Sequence, residues 1–561
     1  MIVVKIDSSK KAPVWSLFVF CLSFFLPVIS HASQYAVASA HPLATKAGMQ
    51  ILKQGGNAFD AAVTVSAVLA VVEPYSSGMG GGGFWLLHQA RDNRQVMIDG
   101  REKAPGAAHR DMYLDEFGEV RKNASIDGPL SAGIPGQPAA LVHLAEHYGR
   151  LPLKQTLNAA IEYAEKGFAV DDYYRRMAGW RLNALKASRD AARIFLDNGK
   201  LPDKGYKILQ PELAHTLQLI ADKGFDGFYR GEIAEKLVSS VKKYGGIWDE
   251  DDLAGYRVVE REPVESRYRE MKVISAALPS SGGVVIAQVL NILERYDLSS
   301  LSDIEKTHLV VEAMRRAYRD RAEYLGDSDF VAVDTETLIS KAYAEKLAGD
   351  IKSNSASISK GLAQPAKGTD TTHFSIVDKE GNRVAATLSI NYPFGSGFVA
   401  EGTGILLNDE MDDFSARPGT PNVYGLVGNE ANAIAPHKRM LSSMSPTFVE
   451  SENGIAVIGT PGGSRIISML LLAILEMENT LDPEKWVNLP RYHHQYLPDV
   501  IQYEADAFTE KQQQQLKQLG HKLKQLDNDY GNMHAIFIDT KTGQLKAASD
   551  KRGVGEALVA D

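Results

Sequence analysis

The chain has 561 residues, 44% hydrophobic and 23% charged, with a formal net charge of -9. At about 150 residues per domain this is three to four domains or one large elaborated one, and the composition excludes a disordered tail, a collagen-like rod and a polytopic membrane protein. The acidic balance offers no face for nucleic acid, and a single cysteine, Cys21, excludes an intrachain disulfide and any cysteine-built zinc site.

Lys5, Lys10 and Lys11 precede an apolar run over 14–29, and Ser30-His31-Ala32 supplies small residues flanking a cleavage point. This is the pattern of a secretory signal peptide over 1–32, cut after Ala32; the run is short for a permanent anchor helix. The expected location is periplasmic or secreted, with no stable membrane anchor after cleavage. The mature chain would hold no cysteine, which suits an oxidising compartment.

Residues 42–72 read as two helices broken at Gly55-Gly56, and 138–148 as an amphipathic helix stopped by Gly149. Residues 283–296 and 304–325 have apolar positions three and four apart and read as helices. Residues 350–368 are polar, lack an apolar period and read as a flexible segment. The character then changes: 371–377 and 383–390 are β-like and separated by 378–382, a hairpin with a five-residue loop. Residues 455–459 form a further strand and 464–476 a buried helix. The mix indicates α+β layering.

Three patterns carry less than they promise. Gly78-Met-Gly80-Gly-Gly-Gly83 matches the dinucleotide fingerprint, but a helix precedes it and a strand, Phe84-Trp-Leu-Leu, follows; that order is inverted, so a tight loop is expected. His143 and His147 match an inverted zinc-protease pattern, yet they fall opposite the stripe Leu141, Leu144, Ala145 and Tyr148, so no metal is expected there. His493 and His494 are adjacent and would point apart on a strand, which favours a structural role.

Asp370-Thr371-Thr372-His373 is the informative stretch. A flexible segment running into a strand that begins with Thr is what a self-cleaving N-terminal nucleophile requires. The Thr371 hydroxyl attacks the Asp370 carbonyl, the peptide becomes an ester, and water cuts it. The new terminus then holds a nucleophile, Oγ, and a base, its own α-amine, whose pKa is about 7.7–8.0. With the loop at 378–382, Thr371 falls opposite Ser389, whose hydroxyl can orient it. Taken alone, the same stretch also fits a β-branched strand start.

The wider pattern resembles the γ-glutamyltranspeptidase (glutathione hydrolase) family of N-terminal-nucleophile hydrolases. Thr371-Thr-His-Phe-Ser375, Asn408-Asp-Glu-Met-Asp-Asp413, Pro436-His-Lys-Arg-Met-Leu-Ser-Ser-Met-Ser-Pro446 and Gly459-Thr-Pro-Gly-Gly-Ser464 occur in order. Upstream stand Gly78-Met-Gly-Gly-Gly82, Asp99-Gly-Arg-Glu-Lys-Ala-Pro105 and Pro279-Ser-Ser-Gly-Gly283. The resemblance implies an αββα four-layer sandwich, with a large subunit over 33–370 and a small catalytic one over 371–561 that stay associated. It implies Arg101, Ser442 and Ser443 for the substrate α-carboxylate and Asp413, Glu410 and Asn391 for its ammonium. Gly462 and Gly463 are implied as the oxyanion hole, and Tyr424 as the gate of a lid over 416–434. The implied reaction transfers the γ-glutamyl group of glutathione or a related compound through a Thr371 ester to water, an amino acid or a dipeptide, with no metal or organic cofactor. Two positions depart from common family usage: Ser389 stands where Thr is frequent, and Glu410 where some relatives have Gln. The alternatives are an exported acylase with a glutaryl-type preference, against which Asp413 speaks because a glutaryl group has no ammonium, and a secreted binding protein without catalysis.

Overall fold

A computed structural model describes residues 34–361 and 370–561; the expected signal peptide and the later part of 350–368 lie outside them. Two sheets stack at the centre. The seven-stranded sheet runs Glu556–Ala560, Tyr35–Ser39, Thr372–Val377, Arg383–Ser389, Gly82–Gln89, Arg94–Gly100 and Val259–Arg261. The six-stranded sheet runs Leu545–Ser549, His534–Asp539, Gly454–Gly459, Thr447–Ser451, Met271–Ser275 and Val264–Tyr268. Helices cover both outer faces, which gives the expected α+β, αββα sandwich.

Side-chain alternation assigns the layers. In Thr372–Val377, Phe374 and Ile376 join the core under the outer helices with Val37, Trp85 and Leu87, whereas Val377 joins the core between the sheets with Ala36, Ala38 and Ala385. His373 lies on that inner side, bonded to Thr387 Oγ1 at 2.9 Å and Ser375 Oγ at 3.2 Å. Thr371 shares the parity of His373, and Ser389 that of Thr387, so both face the space between the sheets at its mouth. The hairpin register runs Val377↔Arg383 to Thr372↔Leu388, and one further step sets Thr371 against Ser389, as expected.

The broken helix is Pro42–Lys53 and Ala58–Val72, the second started by a capping box in which Asn57 Oδ1 accepts from Asp60 N at 2.9 Å and Asp60 Oδ2 accepts from Asn57 N at 2.9 Å. Gln137–His147, Gly282–Leu293, Asp303–Tyr324 and Ile466–Glu476 match the other expected helices. Gly78–Gly81 is a loop before a strand: a Cβ at Gly80 would lie 2.1 Å from Leu406 O and one at Gly81 2.2 Å from Ser389 O, so close backbone approach requires these glycines.

Residues 351–361 carry no helix or strand but do not behave as the flexible linker their composition indicates. Ala356 N donates to Leu519 O at 2.6 Å, Ser357 Oγ to Glu312 at 2.5 Å and Ser359 N to Asp499 at 3.1 Å. The segment is tied to partners from distant stretches of chain, the buried Glu312, Asp499 and the Leu519 carbonyl, which local periodicity does not register. Among the described residues no helix is long and apolar enough to cross a membrane.

Candidate active site

A buried cavity of about 20 Å³, room for about one water, opens where the two sheets meet, and its wall includes Arg101, Thr371, Ser389, Asn391, Glu410, Asp413, Tyr424, Ser442, Ser443 and Gly463. Seven separate stretches of chain converge there. Of the two expected oxyanion-hole glycines, Gly463 lines the cavity and Gly462 precedes it, with φ of 56° and 140°; side chains avoid this region of backbone space. A Cβ on Gly463 would lie 2.3 Å from the Tyr424 ring.

Thr371, in the wall of the cavity, is joined to Asp370 by a peptide bond. Thr371 Oγ1 donates to the Asp370 carbonyl oxygen. Tyr424 Oη donates to Asn391 O at 2.6 Å and stands 3.4 Å from Asp370 O. Asn391 itself has φ of 73°, an uncommon conformation outside glycine. The Asp370 side chain is buried; its Oδ1 accepts from Ser76 Oγ at 3.0 Å, and burial pushes the carboxyl well up. Next to it Thr372, of opposite parity to Thr371, points outward and donates to Glu73 at 2.7 Å.

Arg101 follows the strand Arg94–Gly100 and is fully enclosed. Its Nη1 meets Glu410 at 2.5 Å and its Nη2 Asp413 at 2.6 Å, with Glu102 at 3.6 Å behind. Burial works against the charge on Arg101, and the three carboxyls outweigh it. Burial pushes Glu410 up to about 7 while Arg101 pulls the other way. Glu102 is raised further, by burial and by Glu410. The Ser389 hydroxyl accepts from Asn391 N at 2.8 Å and lines the same cavity as Glu410.

The Ser442-Ser443 pair is held by the 279–283 motif. Ser442 N donates to Pro279 O at 2.8 Å, Ser280 Oγ donates to Met444 O at 2.6 Å, and Ser281 Oγ donates to Ser442 O at 2.7 Å. A Cβ at Gly282 would stand 1.8 Å from Ser445 Oγ. Ser442 Oγ accepts from Met444 N at 3.1 Å and Ser443 Oγ from Arg321 Nη2 at 3.3 Å. Each hydroxyl oxygen thus accepts one bond and both serines line the cavity, where their protons are available to an anion.

From the segment 416–434, the buried Tyr424 and Leu426 line the cavity. Asn422 donates to Asp413 at 2.9 Å, Asn432 to Asp413 O at 2.7 Å, and Val423 N to the buried Asp412 at 2.8 Å. Arg417 reaches Glu119 at 3.0 Å across the surface.

The remaining histidine motifs are structural. His143 bonds Glu260 at 3.0 Å, and His493 bonds Ser468 at 2.8 Å and Gln495 at 2.8 Å. Among the described residues, His308, Glu312 and His521 are the group with metal-like proximity. Glu312 is already taken by Arg315, Arg316 and Ser357, and His308 by His521 at 2.8 Å and Lys352 O at 2.8 Å. Two arginines beside the only carboxylate disfavour a dication.

Sequence reasoning did not single out Glu102, Glu73, Asp412 or Arg321. Glu102 lies inside a quoted motif. Arg321 sits in the helix read over 304–325, among several charged residues, and gives no local signal.

The profile of the family described as Gamma-glutamyltranspeptidase matches residues 44–560. A glutathione hydrolase proenzyme of Escherichia coli (strain K12) is 42% identical over 541 residues, covering 95% of this chain and 92% of the relative. One from Pseudomonas sp. (strain A14) is 44% identical over 494 residues, covering 87% and 86%. The crystal structure of a cephalosporin acylase from Bacillus halodurans superposes with a TM-score of 0.82 at 27% identity, covering 99% of each chain. With a family match over nearly its whole length and relatives this similar, the chain belongs to the γ-glutamyltranspeptidase family.

Proposed function

We propose that this chain is an exported precursor that cuts itself between Asp370 and Thr371 and then transfers γ-glutamyl groups, from glutathione or related compounds, to water or to amino acid and dipeptide acceptors. The observation that carries the reading is the convergence of a hydroxyl nucleophile, one guanidinium, two carboxylates and two serines on one enclosed cavity. A γ-glutamyl group has an α-carboxylate and an α-ammonium at one end and the scissile amide at the other, and the wall offers groups of matching charge.

In this scheme the carboxylate takes Arg101 and the protons of Ser442 and Ser443. Glu410 and Asp413, which hold Arg101 beforehand, receive the ammonium together with the Asn391 amide oxygen. Thr371 Oγ attacks the γ-carbonyl carbon and its proton passes to the freed α-amine. The backbone N–H groups of Gly462 and Gly463 stabilise the oxyanion, a contribution of about 10²–10³ in turnover per donor elsewhere. The amine then protonates the leaving nitrogen, Cys-Gly from glutathione, as the C–N bond breaks. Water or an acceptor amine attacks the ester with the same α-amine as base. Tyr424 and its loop exclude water during these steps.

After the cut, segments 33–370 and 371–561 remain interleaved: Tyr35–Ser39 lies between Thr372–Val377 and Glu556–Ala560, and Met271–Ser275 pairs with Thr447–Ser451. Separating them would tear both sheets. Export rests on the signal-like residues 1–32.

Purified enzyme is expected as two bands on a denaturing gel, the smaller beginning at Thr371. It should release glutamate from glutathione, with glycylglycine diverting part of the acyl group to a new amide. A working single chain would overturn the processing step, and faster cleavage of a glutaryl amide than of the γ-glutamyl amide would favour the acylase reading.

Glu410 adds an ionisation to the pH dependence that acts oppositely on the two ends of the substrate. Below about 7 it is increasingly protonated, which frees Arg101 for the substrate carboxylate but weakens the hold on the ammonium; above it the reverse applies. Glu410→Gln is expected to remove this ionisation from the kcat/KM profile between about pH 5 and 9 while leaving the α-amine limb near about 8. An unchanged profile would show that Glu410 does not titrate at the site.

A further inference from the structure

Arg321 lies in the last turn of Asp303–Tyr324 and is buried. Its Nε donates to Ser281 Oγ at 2.9 Å and its Nη2 to Ser443 Oγ at 3.3 Å. Arg101, Arg315, Arg316, Arg383, Arg439 and Arg491 are also buried and each has a carboxylate partner. Arg321 forms no ion pair among the described residues. Guanidinium keeps its proton in proteins, so a full positive charge sits one hydroxyl away from the cavity with only neutral oxygens in contact. Burial makes this charge costly, Arg101 nearby adds to the cost, and Tyr318 and Asp413 partly offset it.

An unpaired buried cation is expensive unless something completes its surroundings. The hydrogen-bond directions identify what does. Arginine only donates, so Ser443 Oγ must accept from it, and the Ser443 proton is turned away from Arg321. Ser281 accepts from the same guanidinium and passes its own proton to Ser442 O, so Arg321 braces both serines of the pair. Arg101 is already shared between Glu410 and Asp413, whereas Arg321, which bonds a serine of the cavity wall, has no carboxylate partner among the described residues; the buried Arg465 also lacks one, but its guanidinium is bonded to Gln502 and not to the serine pair.

We propose that Arg321 is a positioning residue of the carboxylate subsite: it fixes Ser443 as a donor toward the cavity and sets a second guanidinium behind the α-carboxylate of the acyl donor. This assignment rests on the γ-glutamyl reading. It deepens that reading by making recognition of the carboxylate depend on a residue that does not itself touch the substrate. Because the carboxylate is the same in ground and transition states, loss of Arg321 weakens binding more than turnover.

The test uses processed enzyme, L-γ-glutamyl-p-nitroanilide, and the analogue whose α-carboxylate is a carboxamide. Arg321→Met is expected to raise KM for the carboxylate substrate by about 10- to 100-fold, with kcat within about threefold, and to shrink the carboxylate-over-carboxamide preference by a similar factor. In a Ser443→Ala background the same change should add less than about threefold, since the two act through one contact. Parallel losses on both substrates, or fully multiplicative effects of the two substitutions, would overturn the assignment. Should Arg321→Met not accumulate as processed enzyme, Arg321→Lys, which keeps the charge but not the fork, is read instead. A partial loss of preference is then expected, and an unchanged preference would overturn the proposal. A wild-type enzyme with no preference for the carboxylate would defeat the γ-glutamyl reading itself; a preference that survives in Arg321→Met defeats only the role of Arg321.

Discussion

Thr371→Ala should remain a single uncut chain and lose turnover by about 10⁴-fold or more, since both processing and acyl transfer use the same oxygen and removing a nucleophile costs at least that much in comparable hydrolases. The Ala variant keeps the strand, because position 371 adds no ladder pair beyond Thr372↔Leu388. Its melting temperature should therefore stay close to that of the uncut wild-type chain. Thr371→Ser retains the hydroxyl and should still be cut, more slowly, because without the methyl the side chain gains rotamer freedom. A denaturing gel and glutamate release settle both. A Thr371→Ala protein that is cut normally and still liberates glutamate would remove the nucleophile from the scheme.

Arg101→Ala is expected to do more than the rise in KM that a carboxylate-binding arginine alone would give. Among the described residues Arg101 is also the only cation paired with Glu410 and Asp413, with Glu102 close behind. Taking one partner out of a buried ion cluster costs about 3–5 kcal/mol, since the remaining charges are left uncompensated. The carboxyls can escape part of that cost by taking up protons. Glu410 already titrates in the folded protein at about 7, above its usual 4.5, with Arg101 holding it down. A carboxyl raised in the folded state binds more protons folded than unfolded, so its contribution is fully present at low pH and is lost as pH rises through the folded value. The variant should therefore lose stability more steeply than wild type between about pH 5 and 8. Thermal unfolding across that range is the measurement, and a parallel pH dependence in the two proteins would show that Arg101 does not neutralise the cluster.

Much of this molecule is legible locally. The Gly55-Gly56 break, the 378–382 turn and the alternation of 371–377 specify two helices and a hairpin whose register puts Thr371 against Ser389, because side-chain period and turn length constrain one another. Glycines in 78–83 with a strand after them already exclude a dinucleotide loop. The polar stretch 350–361 misled, because its partners Glu312, Asp499 and Leu519 are remote in sequence. Arg321 was invisible for a related reason: a charged residue in a charged helix looks solvated until another layer covers it.

The order of the motifs alone pointed to the family and to a set of candidate residues, most of which the fold gathers around one cavity, since each motif carries a residue type suited to the proposed chemistry. The tertiary structure decided how charge is shared. It placed Arg101 against Glu410 and Asp413, laid Tyr424 over Gly463, and ran the 279–283 motif under the two serines, where Ser281 holds the Ser442 carbonyl. These relations join segments up to some three hundred residues apart, so no local pattern encodes them; they arise only when the two sheets stack and shut water out, which makes each unpaired charge and each unmade hydrogen bond costly.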